Sequence, residues 1–131
     1  MLAETPHRLK EAVSDLDREQ LDTSYRPDGW TLQQVVHHLP HSQLYGYLRF
    51  KRALTEERPI ISPFDPDKWN HLPNSRLEIH VSIDFLKALH QRWTRLLQSL
   101  RSEEFRKGYL HPEWGFLTLE DAHRFKIIFH Q

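Results

Sequence analysis

The stretch Thr31–Leu54, TLQQVVHHLPHSQLYGYLRFKRAL, decides how the chain is read. Leu32, Val35, Val36, Leu39, Tyr47, Phe50 and Leu54 mark the apolar face of one amphipathic helix. Thr31 and Gln34 have the spacing of a capping box, in which each side chain bonds the other's backbone N–H. Pro40 breaks the pattern, because it has no N–H and its ring meets the carbonyl of Val36, at a cost of about 3 kcal/mol. The apolar stripe resumes in phase beyond Pro40, so the expectation is one kinked helix rather than two.

Working outward, Thr5-Pro6 has the residues of a helix start, and Leu9, Ala12, Val13 and Leu16 would form that helix's apolar face. SYRPDGW, Ser24–Trp30, has the turn chemistry of a loop. From Thr55 to Val81 the chain carries Pro59, Pro63, Pro66 and Pro73, which predicts a long irregular connection with one helical turn around PDKWNHL. Ser82 is expected to cap a helix carried by Ile83, Leu86, Leu89, Trp93, Leu96, Leu97 and Leu100. YLHPEWGFL, Tyr109–Leu117, reads as a loop. Thr118 and Asp121 then form a second capping box, with Ala122, Phe125, Ile128 and Phe129 facing the core of a last helix. No strand alternation, repeat or low-complexity tract is visible. The pattern predicts an all-α four-helix bundle, a single domain over residues 1–131 whose last helix is cut short.

The composition narrows the function. The 131 residues hold 18 Lys and Arg against 18 Asp and Glu, a formal net charge of zero, so no nucleic acid or acidic membrane is expected as a partner. The absence of cysteine removes disulfides, thiolate zinc sites and a cysteine nucleophile. No apolar run approaches the roughly 20 residues of a membrane span, and a cytoplasmic domain is expected. No nucleophile elbow, phosphate-binding loop or dinucleotide fingerprint is present. The tryptophans read as packing residues, and Arg49, Lys51 and Arg52 as a solvated face.

The ten histidines are the chemistry in view, three of them within five residues: His37, His38 and His41. On a helix, His37 and His41 lie four apart on one face and could chelate one divalent ion, while His38 and His41, three apart, form a competing pair. A further ligand would come from another helix. The bland reading stands beside this one: such pairs arise by chance, and His41 would point away from the apolar stripe.

The segments YRPDGWT, QVVHH, RFKRALTEE and HPEWG, taken together, resemble the DinB-like superfamily, and within it the YfiT-like metal-dependent hydrolases. The resemblance runs from about Leu9 to Ala122. It implies a four-helix bundle, a cytoplasmic homodimer, a small-molecule substrate, and a divalent metal, zinc or nickel, held by three histidines. One of these would be His38, the second His of VVHH; His37, His41 and His130 are the alternatives. The other two would form an H-x-x-x-H pair on the final helix. Counted from Leu119, the first of that pair would fall at Phe129, and His130 lies one residue, about 100°, out of register. A relative of this kind would use metal to activate water, as a hydrolase, or a thiol, as a DinB-like thiol S-transferase. A bundle lacking the final pair would instead be a non-catalytic, degenerate member.

Overall fold

In the computed structural model, the described residues are 29–125 and Glu11. The expected first helix and the residues beyond Phe125, His130 and Phe129 among them, lie outside this set. Four α-helices are described: α1 (Leu32–Thr55), α2 (Pro66–Asn70), α3 (Ile79–Ser99) and α4 (Leu119–Phe125). An antiparallel hairpin, β1 (Gly108–His111) and β2 (Gly115–Thr118), precedes α4. The chain divides into two compact units, one of Met1–His41 with Asp65–Thr94, the other of Ser42–Phe64 with Arg95–Gln131.

In the first unit, α1 opens as its residues dictate. The Gln34 N–H donates to Thr31 Oγ1 at 3.1 Å and the Thr31 N–H donates to Gln34 Oε1 at 2.8 Å. Val36 and Ile83 are buried together, with Leu32 and Ile79 packed against them, and Leu86, Leu89 and Trp93 are buried further along α3. The helical turn expected around PDKWNHL is α2, capped by Asp65, whose carboxylate accepts from the Asp67 and Lys68 N–H groups. Ser82 does not cap α3. The helix starts three residues earlier, at Ile79, and the Ser82 hydroxyl is engaged with His37.

In the second unit, Tyr47, Phe50, Ala53, Ile61, Phe64, Tyr109, Leu119 and Ala122 are buried. Arg49 departs from the solvated face expected of it. It is 3% exposed and hydrogen-bonded to Tyr109, and burial pulls its pKa below the ordinary arginine value against the opposing pull of Tyr109. The segment read as a loop is the hairpin, registered Gly108↔Thr118 through His111↔Gly115. Gly115, at φ 74°, supplies the left-handed residue that ends its three-residue turn. At Gly108 a Cβ would lie 1.9 Å from the Leu117 carbonyl oxygen, so only glycine fits that strand position. The Leu110 carbonyl also accepts from the Ile61 N–H, and the Leu110 N–H donates to Pro59, which adds the connection as a third line of backbone. Thr118 and Asp121 cap α4 as expected, with bonds of 3.0 and 3.3 Å.

α1 runs unbroken through Pro40, as the in-phase stripe requires, and the proline ring is fully buried. Replacing it by alanine would remove two buried methylenes, about 0.8 kcal/mol each. It would also lift a helix-interior penalty of about 3 kcal/mol. Pro40→Ala is therefore expected to stabilise the protein by about 1 kcal/mol, read as a rise in the urea midpoint at unchanged slope. A lower midpoint would mean that the ring packs better than the helix suffers.

Candidate metal centre

The three clustered histidines occupy three different environments. His37 is 1% exposed and both ring nitrogens are engaged. Nε2 lies 2.7 Å from the Leu77 carbonyl, which can only accept, so Nε2 carries the proton. Nδ1 lies 2.6 Å from Ser82 Oγ, and in the neutral ring it accepts the hydroxyl proton. Gln33 Nε2, one turn earlier, donates to the same Leu77 carbonyl at 3.3 Å. Burial lowers the His37 pKa from 6.5, opposed by the bond to Leu77. A ring held at both nitrogens has no lone pair to give a metal.

His38, one residue on, faces elsewhere. Its ring packs edge-on against Trp30, centroids 4.9 Å apart. The Trp30 indole N–H donates to the Asp67 carboxylate. Asp67, Trp30 and His38 thus form a chain of contacts from α2 to α1. Burial is the largest influence on the His38 pKa and lowers it; His41 lowers it further, and Asp67 opposes both.

His41 does not lie free on the surface. It is partly buried with its ring edge-on to Trp69, 5.1 Å between centroids. Its Nδ1 is buried with no hydrogen-bond partner among the described residues. Burial, then the neighbouring His37, lower its pKa. The structure thus turns His37 inward, with both ring nitrogens taken, and sets His38 against Trp30 and His41 against Trp69. Among the described residues no group of three His, Asp or Glu side chains forms a complete metal site. The residues that are present suit part of one: imidazoles that burial keeps neutral, and a buried nitrogen without a partner. Asp67 was not visible as part of this cluster in the sequence, since it lies 29 residues after His38 in a proline-rich connection and follows no period.

The described residues form a helical domain with a cluster of histidines on α1, and the comparisons with known proteins give its family. The model of the DinB superfamily matches residues 1–131. A Bacillus cereus (strain G9842) protein with the provisional name metal-dependent hydrolase is 49% identical over 121 residues, covering 92% of this chain and 70% of the relative. A protein of Bacillus thuringiensis subsp. konkukian (strain 97-27), provisionally named in the same way, is 48% identical over the same shares. Among solved structures, YfiT from Bacillus subtilis, described as "a probable metal-dependent hydrolase with an unusual four-helix bundle topology", matches with a TM-score of 0.87 and 46% identity, covering 92% of this chain and 70% of that one. The chain belongs to the DinB superfamily and has an all-α, four-helix-bundle fold. No described helix is long and apolar enough to cross a membrane.

The buried neutral His37 has a consequence for pH. Its folded pKa is depressed, so the unfolded chain binds the extra proton first. The stability it contributes is present above the unfolded value of 6.5 and is lost as pH falls from there through the folded value. In chelator-treated protein the urea midpoint should be lower at pH 5 than at pH 7.5. His37→Gln, which keeps a donor and an acceptor but does not titrate, should shrink that difference. An undiminished difference would assign the titration to other groups.

Proposed function

We propose that this chain is a metal-dependent hydrolase of a small-molecule substrate in which His38 is a ligand of a divalent ion, zinc or nickel. The observation that carries the reading is the divergence of adjacent histidines: His37 is held at both nitrogens, while His38 is oriented by Trp30 and Asp67 without being sealed inside the core. His41, with its buried and unpartnered Nδ1, is the second candidate within the described residues. The remaining ligands are assigned to residues outside that set, where His130 is a candidate. The provisional names of the relatives support metal dependence.

When bound, a divalent ion supplies a Lewis acid that makes a nucleophile available near neutral pH. The chain's own residues prepare for it. Burial keeps His38 neutral, the form that ligates. The Asp67 carboxylate fixes Trp30, and the Trp30 ring limits the swing of the His38 imidazole. Trp30 packs edge-on against His38 and Trp69 against His41. We place the protein in the cytoplasm and expect it to work as a homodimer.

The test is metal affinity in defined variants. Zinc or nickel titrated into chelator-treated protein should bind at least about tenfold more weakly to His38→Ala, since loss even of a group behind a ligand costs that much. His37→Gln should bind as the wild type does. Hydrolysis should vanish with chelator and return with metal. Retention of full affinity in His38→Ala would overturn the assignment. Transfer of an added thiol in place of hydrolysis would keep the site and change the reaction.

A further inference from the structure

Asn70 closes α2, directly after Trp69, and is only 6% exposed. Neither its Nδ2 nor its Oδ1 has a hydrogen-bond partner among the described residues. Buried polar groups are nearly always paired, and an amide with both ends unpaired is the exception that asks for a cause. The backbone around it is firmly held. The Trp69 N–H donates to the Asp65 carbonyl at 3.1 Å, and the Trp69 carbonyl accepts from the Leu72 N–H and from Ser75 Oγ at 3.1 and 3.2 Å. The side chain is therefore presented from a fixed frame. In the same unit, the ring that packs on Trp69 is that of His41, which carries another buried atom without a partner, Nδ1. The Asn70 amide and His41 Nδ1 are thus unsatisfied polar groups of the same unit, on the two helices that carry Asp67 and His38.

We infer that Asn70 is a recognition point for a neutral planar group that carries an N–H donor and a C=O acceptor side by side, a primary carboxamide or a lactam. The side-chain amide offers the complementary edge, Nδ2–H to the ligand oxygen and Oδ1 to the ligand N–H. A carboxylate is the wrong partner, because one of its oxygens would face Oδ1. A hydroxyl has a single heavy atom and cannot meet both ends of the amide at once. Such a group belongs to the substrate of the hydrolase proposed above, so its role rests on that reading, but its binding does not require metal.

The experiment therefore uses chelator-treated full-length chain. 2-Pyrrolidone, a lactam with both groups on one edge, is titrated while the Asn70 side-chain NH₂ and Trp69 indole signals are followed by 15N NMR. Saturable shifts at both signals are expected. N-Methyl-2-pyrrolidone, which lacks the donor, should bind about tenfold more weakly, the effect of one unmade buried hydrogen bond. Asn70→Ala and Asn70→Leu should each weaken 2-pyrrolidone by about tenfold or more with the rest of the spectrum in place; two variants guard against one that fails to fold. Equal binding of the two lactams, undiminished binding by both variants, or no saturable shift with the Asn70 NH₂ held by a long-lived water would each overturn the proposal. Loss of metal binding in His38→Ala with lactam binding intact would separate this site from the metal reading.

Discussion

The imidazole of His37, clamped between the Leu77 carbonyl and the Ser82 hydroxyl, is the interaction on which the first unit depends. It ties the first part of α1 to the first turn of α3 and to Leu77, two residues before that helix, through bonds of 2.6 and 2.7 Å. Removing either partner of a buried bond of this kind leaves a desolvated polar group, at about 1–3 kcal/mol. The clamp also fixes rotation. With residue 37 turned inward, residue 38 lies about 100° around the helix, where it meets Trp30. The site is thus a by-product of a core contact, and the divergence of two adjacent, chemically identical side chains follows from helix geometry.

Much of the fold was legible because its signals are local. Thr31 with Gln34 and Thr118 with Asp121 are three residues apart, and their reciprocal bonds depend on little else. The turn at Pro66–Asn70 follows from a proline at the first helical position and an Asp before it. What failed was anything decided at a distance. Ser82 resembles a cap, yet its hydroxyl is claimed by a residue 45 positions earlier. The hairpin strands are four residues each, too short for alternation to show, and Gly115 reads as a loop residue until its positive φ explains it. Arg49 looked like part of a basic face because Lys51 and Arg52 are its neighbours. Its burial against Tyr109, 60 residues away, leaves no trace in the local pattern.

The histidine cluster was legible in the sequence and its surroundings were not. Spacing left the His37/His41 and His38/His41 pairs in competition, and family resemblance pointed to His38. The geometry supplies the physical reason for setting His37 aside: its lone pair is taken. Asp67 and Asn70 were unreadable, since they sit in a connection with no period and owe their places to α2 and its Asp65 cap. The positions expected of the last-helix pair, from Phe129 on, lie outside the described residues, so the proposed histidine set rests on α1 and on the family resemblance.

The account stands on which ring nitrogens are occupied, and 15N NMR of the histidine side chains reads this directly as zinc is added to chelator-treated protein. His37 should appear as a neutral ring protonated at Nε2 and should keep that pattern throughout, whereas a His38 ring nitrogen should shift to the position of a metal ligand. A metal-induced shift at His37, with His38 unmoved, would contradict the account.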